Sequence, residues 1–231
     1  MSGRRSTLRE YLEALLSAVV FALFVRTFVA EPFRIPSESM ADNLLVGDHL
    51  LVNKFVYGPT ANAWERALLP VRDVRRGDVV VFQYPENPRR DFIKRCVGLP
   101  GEEVELEGRL LFVDGERVDE SGYVHHEDSR VYPDSRFVGD HWRRRDNFGP
   151  YVVPADGWFC LGDNRDNSQD ARFWRQPAVP RHYLKGRALL VYWSFGGPPP
   201  RPGEGAFERL AYVARHFVEL TRWERTFQLV R

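Results

Sequence analysis

The spacing of apolar and polar positions changes character repeatedly along this chain. Leu12 to Ala30, LEALLSAVVFALFVRTFVA, is an almost unbroken apolar stretch. It is long enough to cross a bilayer hydrocarbon core of about 30 Å. Glu13 and Arg26 lie near its ends, where long side chains can reach an interface. Pro32 and Pro36 then end the helical spacing and open an irregular stretch. Beyond Leu44 the period shortens. Leu45, Asp48–Val52 and Phe55 predict a strand. Asp78–Tyr84 (DVVVFQY) is nearly all apolar and rich in β-branched residues, which predicts a buried strand. Phe92–Val97 predicts another, and Glu103–Glu107 with Leu110–Val113 a hairpin around Gly108. Asp114-Gly115 marks the next turn. Trp158–Leu161 and Leu184–Phe195 return to strand patterns.

Residues 116–153 are polar, aromatic and charged, and predict an excursion from the core, a small β subdomain or long loops. Its His125, His126 and His141 show no metal-ligand motif with nearby acidic residues and read as surface groups; Arg143-Arg144-Arg145 reads as a solvated face. Gly196–Gly203 (GGPPPRPG) makes residues 196–204 a stiff linker. Phe207, Leu210, Ala211, Ala214, Phe217 and Val218 then recur at helical spacing. Charges interrupt them too often for a membrane span, so residues 205–231 predict an amphipathic helix, lying on the domain or on a membrane surface.

At 231 residues the chain suffices for one large domain or two small ones. A net charge of +1 gives no basic footprint, so no nucleic-acid partner is expected. Abundant Pro, Gly and aromatic residues lean toward a turn-rich β protein. Cys96 and Cys160 make neither a disulfide framework nor a zinc spacing and read as buried small hydrophobes, with a bridge open to them if their strands adjoin. Arg4, Arg5 and Arg9 precede the apolar stretch and no A-x-A site follows it, so residues 12–30 read as an uncleaved anchor rather than a removable signal. The alternative is a buried amphipathic helix. The basic flank predicts residues 1–11 inside and everything after Ala30 outside.

Candidate chemistry concentrates in Ile35-Pro36-Ser37-Glu38-Ser39-Met40, in Phe92–Gly101 (FIKRCVGLPG) and in Gly162–Arg172 (GDNRDNSQDAR). A serine nucleophile needs an adjacent base. No G-x-S-x-G elbow is present, which disfavours an α/β-hydrolase triad. Lysine is another possible base. Its ordinary pKa is about 10.4, and keeping it neutral at pH 7 costs roughly 4 to 5 kcal/mol; burial supplies such a shift. Strand alternation puts Phe92, Lys94 and Cys96 on one face and Ile93, Arg95 and Val97 on the other. Lys94 thus shares its face with apolar neighbours, whereas Arg95, which stays charged, suits a structural ion pair.

These three stretches, in chain order, resemble the signature boxes of the bacterial type I signal peptidase family. So do the lead-in RTFVAEPF, Arg76-Gly77-Asp78 and Asp146–Pro150, and the likeness runs from about Leu12 to Phe195. The resemblance implies a mainly β fold: an antiparallel β-sheet catalytic domain over residues 31–195, with one N-terminal transmembrane helix and the C-terminal amphipathic helix. It implies a membrane-bound serine endopeptidase that removes signal peptides from exported precursors after an Ala-X-Ala-like site. Ser39 would be the nucleophile and Lys94 the general base. Ser37 would lend its hydroxyl to the oxyanion hole and Ser168 would orient the Lys94 amine. Arg95, Asp163, Asp170 and Arg172 would form an ion-pair framework, and Ile35 and Leu99 would be candidate walls for the substrate's small side chains. Precursor proteins, the lipid bilayer and the secretion translocon are the implied partners. The implied location is the bacterial cytoplasmic (inner) membrane, single-pass, with the catalytic domain on the extracytoplasmic, periplasmic side. No metal or organic cofactor is implied.

The chain departs from the family pattern at Ala41-Asp42-Asn43, where Pro-Thr commonly follows Ser-Met, and at Ala171, where a serine is frequent. Two other readings fit less of the chain. One is a specialised paralogue with a narrow substrate set, or a relative of the self-cleaving Ser-Lys repressors, against which the anchor argues. The other is an inactive relative serving as a membrane scaffold, against which intact Ser39, Lys94 and Ser168 argue.

Overall fold

Five of the six residues of β3 (Val79–Tyr84) are buried. Val80, Phe82 and Tyr84 enter one apolar cluster and Val79 and Val81 another, as alternation along a strand covered on both faces requires. In this computed structural model, which describes residues 7–26, 30–57 and 71–230, β3 sits inside a large antiparallel sheet. Its other strands are β1 (Ala30–Arg34), β2 (Asp48–Asn53), β4 (Asn87–Gly98), β9 (Gly157–Leu161), β10 (Val179–Pro180), β11 (Leu184–Ser194) and β12 (Gln228–Leu229). The order is β1-β2-β11-β3-β4-β9-β10, with β12 paired to β11. A smaller antiparallel sheet follows the order β7 (Glu116–Arg117), β6 (Leu110–Val113), β5 (Glu103–Glu107), β8 (Phe148–Val152).

The first cluster joins Val97, Phe159 and Leu161 of the large sheet to Val104, Leu106 and Leu111 of the small one. The second lies on the other side of the large sheet. There Leu50, Val52, Ile93 and Val191 are covered by Ile35, Met40, Leu44 and Val230.

The predicted strands and the hairpin are present, but three expectations need correction. The apolar helix does not run to Ala30. Helix α1 (Thr7–Phe24) has 18 residues, and Ala30 opens β1 opposite Asn53. Pro32 did not stop that strand, because β1 is the outermost strand and a missing N–H is tolerated at a sheet edge. Among the described residues no helix is long and apolar enough to cross a membrane. Leu15, Leu16, Val20 and Phe21 of α1 are exposed nonetheless.

The second correction concerns residues 116–153. They are not separate from the preceding hairpin, since β7 and β8 complete its sheet. Helix α2 (Asp140–Asp146) turns Arg145 inward, where it pairs with Asp146 and Asp128, while Arg143 and Arg144 stay outside against Asp140. The arginine run is therefore a solvated face for two residues and an internal ion pair for the third.

Third, residues 205–231 are not one helix. Helix α3 (Ala206–Leu220) ends at Thr221, and a short 3-10 turn (Trp223–Arg225) leads the chain back to the sheet as β12. Most of its predicted apolar stripe points outward, with Phe207 83% exposed and Val218 75%, while Phe217 of that stripe lies against Trp193. The side near the domain carries Arg209, Tyr212 and His216, with Tyr212 edge-on to Phe195.

Candidate active site

The loop between β1 and β2 presents Ser39. Its base is closed by main-chain bonds from Ile35 to Asp48 (2.9 Å) and from Gly47 to Ile35 (3.2 Å). Within it the Leu44 N–H donates to the Met40 carbonyl at 2.7 Å. Ile35, Met40 and Leu44 are each sealed in the second cluster. Burying such a side chain is worth roughly 1.5 to 3 kcal/mol, so apolar burial on both sides of Ser39 holds this turn in place.

Lys94 comes from β4, opposite Val80. Its ammonium lies 5.5 Å from the centre of the Phe92 ring, the same-face neighbour expected from alternation. Ser39 is 6% exposed and Lys94 4%. Lys94 Nζ donates to Ser39 Oγ at 2.5 Å. Among the described residues no carboxylate comes within ion-pair distance of the amine. Burial therefore dominates, and it lowers the Lys94 pKa to about 8 despite the opposing charges of Asp170 and Asp163.

Ser168 reaches the same place without a bond to Lys94. Its hydroxyl is buried and has no hydrogen-bond partner of ordinary geometry. A weaker alignment still lets it help hold the Asp170 carboxyl ionised. Gly162 brings Ser168 and Ser39 together. A Cβ there would lie 2.2 Å from Ser168 Oγ and 2.5 Å from the Ser39 carbonyl oxygen, so only glycine fits between them. The Asn164 N–H donates to that same carbonyl at 3.2 Å.

The four predicted ion-pair residues form two separate buried pairs. Arg95 meets both oxygens of Asp163, at 2.8 and 2.6 Å. Arg172 meets both oxygens of Asp170, at 2.9 and 2.8 Å, and donates to the carbonyls of Arg145 and Arg165. Burial alone would raise the Asp170 carboxyl; the guanidinium of Arg172 and the Gly162 N–H hold it below the usual range. These are interior pairs, not the surface bridges such residues usually make.

The residues at the family departure are engaged. Asp42 has a left-handed backbone (φ +71°) and meets His125 Nδ1 at 2.5 Å. Asn43 Nδ2 donates to the Tyr123 carbonyl at 2.7 Å and to Asp163 Oδ2 at 2.9 Å. Ala171 is fully buried. Cys96 and Cys160 face each other across β4 and β9 as free thiols, and burial beside Cys96 pushes the Cys160 thiol up.

A cleft of about 580 Å³ opens onto Ser39 and Lys94. Ser37, whose side chain is exposed, stands on its border, with Phe33, Phe92 and Ile93 as apolar walls and Arg90, Asp91 and Gln169 around them. The two predicted wall residues are elsewhere. Ile35 is buried beneath the turn, and Leu99 packs on the first cluster with its N–H held by Glu102. Phe33 was missed because it falls in the stretch read as irregular; Gln169 lies inside a box already singled out. The Arg165–Glu120 pair, also buried, joins residues with no local pattern to connect them. Among the described residues no group of three or more His, Cys, Asp or Glu side chains could hold a metal ion.

A family model for signal peptidase, peptidase S26, matches residues 8–193. The chain belongs to that family. It is 37% identical over 217 residues to a signal peptidase I of Pseudomonas aeruginosa, covering 85% of this chain and 76% of that protein. It is 38% identical over 207 residues to one from Leptolyngbya laminosa, covering 84% and 87%. A crystal structure of a signal peptidase I from Enterococcus faecalis V583 aligns at 26% identity over 50% of this chain and 97% of that one, with a TM-score of 0.37. Ser39, Lys94 and Ser168 lie inside the family match, whereas α3 and β12 lie beyond it.

Proposed function

We propose that this chain is a signal peptidase that cleaves signal peptides from exported precursors after an Ala-X-Ala-like site, using Ser39 and Lys94. The observation that carries the reading is the 2.5 Å contact between Lys94 Nζ and Ser39 Oγ, both buried, with no carboxylate at ion-pair distance from the amine among the described residues. When the amine is neutral, the same contact serves with donor and acceptor exchanged. Lys94 takes the Ser39 proton as Oγ bonds to the scissile carbonyl carbon. Ser37 and the Ser39 N–H are suited to receive the oxygen that becomes negative. Collapse breaks the C–N bond, and Lys94 returns the proton to the departing amine. The signal peptide stays on Ser39 as an ester. Lys94 then deprotonates a water that releases it, and the proton ends on Ser39.

The cleft suits an extended peptide. The ladder from β4 to β3 runs from Asn87 to Arg95, whereas β9 pairs only with Arg95, Cys96 and Gly98. The outer edge of β4 at Arg90–Lys94 has no strand partner among the described residues, and it leads to the base. A substrate added there gains main-chain hydrogen bonds, with its small side chains against Phe33, Phe92 and Ile93. Helix α1 supports membrane attachment: it is about 27 Å long at 1.5 Å per residue, and its Leu15, Leu16, Val20 and Phe21 are exposed. In this reading α1 anchors the chain in the bacterial cytoplasmic membrane, with the domain on the outer face, where inserted precursors and the translocon meet it.

The test is incubation of the detergent-solubilised full chain with a precursor carrying an Ala-X-Ala site, beside Ser39→Ala and Lys94→Ala, with mass spectrometry of the new N-terminus. Cleavage after the final Ala by the unmodified chain alone is expected. Cleavage that persists in Lys94→Ala overturns the base; none by the folded, unmodified chain across several precursors overturns the activity. Alkaline extraction of membranes should leave the chain in the pellet.

A further inference from the structure

The segment after residue 193 is outside the family match, yet it reaches the turn that carries Ser39. Arg225 Nη2 donates to the Asn43 carbonyl at 2.8 Å and to Asp48 Oδ2 at 2.7 Å. Arg222 donates to the Val46 carbonyl at 3.2 Å. Val230 packs in the same apolar cluster as Met40 and Leu44. Asp48 is fully buried at the far end of the loop, where it also takes the Ser194 hydroxyl at 2.5 Å and the Leu45 N–H at 2.9 Å. Ser39 thus lies on a loop whose distal side is gripped by the tail.

We infer that Arg225 is a positioning residue for cleavage, closing the tail over the Ser39 turn and holding Ser39 within reach of Lys94. The inference rests on the signal-peptidase reading above. Asn43 is the junction. Its carbonyl is held by Arg225, and its side chain by Asp163 and the Tyr123 carbonyl. Fixed from both ends, the Met40–Leu44 turn cannot rotate about Asn43. Apolar packing alone does not achieve this. Beside the Leu44–Val230 packing, a cavity of about 550 Å³ opens between Asp42, Asn43 and Leu44 of the turn and Gln228, Leu229 and Val230 of the tail, so their apolar contact is only partial. Arg225 bridges them by hydrogen bonds. Asp48 is neutralised by Arg225, with Arg222 also 3.7 Å away, and that pairing docks the tail. The added bond to a main-chain carbonyl neutralises nothing; its effect falls on the turn. A misplacement of the order of 1 Å at a reacting group can cost about a hundredfold in rate.

The experiment measures kcat and KM for the precursor with full chains carrying Arg225→Met, Arg225→Lys or Thr221→Ala, at a temperature where circular dichroism shows each folded. Thr221→Ala removes the bond from Trp193 Nε1 (3.1 Å) and weakens tail docking without touching Asn43. Arg225→Met is expected to lower kcat about tenfold with KM within about twofold. Arg225→Lys keeps a cation for Asp48; it should recover melting temperature more than kcat. Thr221→Ala should lower the melting temperature and leave kcat unchanged. The inference is overturned if both Arg225 variants keep kcat within twofold, or if Thr221→Ala loses as much kcat as Arg225→Met. Failure of the unmodified chain to cleave, or cleavage by Ser39→Ala, would instead defeat the underlying reading.

Discussion

Lys94 and Arg95 are consecutive cations on β4, both sealed from water, and the two faces of the strand treat them oppositely. Lys94 has a hydroxyl and an aromatic ring for company, and its ammonium is destabilised. Arg95 has a carboxylate gripped through two bonds, a carbonyl, and the Tyr123 ring 4.2 Å away. A buried charge is costly unless paired and hydrogen-bonded. One face meets that demand and gains rigidity; the other withholds it and leaves an amine that gives up its proton more easily. Asp163, although paired with Arg95, still favours the Lys94 ammonium; burial outweighs it.

The sharpest break of this comparison is Lys94→Met. We expect cleavage to fall by roughly 10²- to 10⁴-fold, the usual contribution of a general base, while the melting temperature rises. The rise follows from removing a buried cation whose pKa is displaced from 10.5 to about 8, worth about 3 kcal/mol at neutral pH. A fall in melting temperature would show that Lys94 is stabilised by its surroundings, contrary to the comparison. Arg95→Met should do the reverse. It leaves the Asp163 carboxylate buried with, among the described residues, the Asn43 amide alone, and losing one partner of a buried pair costs about 3 to 5 kcal/mol. Urea unfolding measures it; a loss below 1 kcal/mol would mean that Arg95 is not paired in solution.

The pH dependence sharpens the contrast next. Below pH 8 the unreactive ammonium dominates, so kcat/KM should fall about tenfold per unit and level off above an apparent pKa of about 8. The stability sign follows from the same shift. The unfolded chain holds the proton up to 10.5 and the folded one to about 8. Between those values the unfolded state binds more protons, so the Lys94 contribution to stability increases with pH across that window. An activity profile that is flat from pH 6 to 9 would count against Lys94 as the base. The smallest effect is expected at Arg76, a partly exposed cation paired with Glu102 at 2.8 Å. Arg76 also donates to the Val97 carbonyl, so Arg76→Ala should cost about 1 to 2 kcal/mol and leave kcat unchanged.

Period and turn chemistry carried much of the fold before any coordinates. The hairpin of β5 and β6 has the bounds that its apolar pattern predicts, and the β-branched run of β3 is buried on both faces. Alternation alone placed Lys94 beside Phe92 and opposite to Arg95. What joined Lys94 to Ser39 was the resemblance, because 55 residues separate them and no local spacing encodes the contact. The same distance problem hid Arg225 on Asn43 and Arg165 on Glu120. Ile35 and Leu99 were misplaced because an apolar residue next to a reactive one has two destinations, cleft wall or core, and sequence does not distinguish them. The tail misled for a related reason. Helical periodicity in α3 is real, but its exposed stripe and the return of β12 depend on β11, which contributes no local signal.

Asp48 has a consequence for timing. Its contacts with Ser194 and Arg225 span 146 and 177 residues of chain. Contacts of such separation form late, because the intervening chain must first be brought to order. Ser39 and Lys94 both lie in the first hundred residues, but the loop carrying Ser39 takes part of its support from Ser194 and Arg225. Until those two contacts form, the proposed nucleophile and base are present on a loop that lacks its Asp48 anchors.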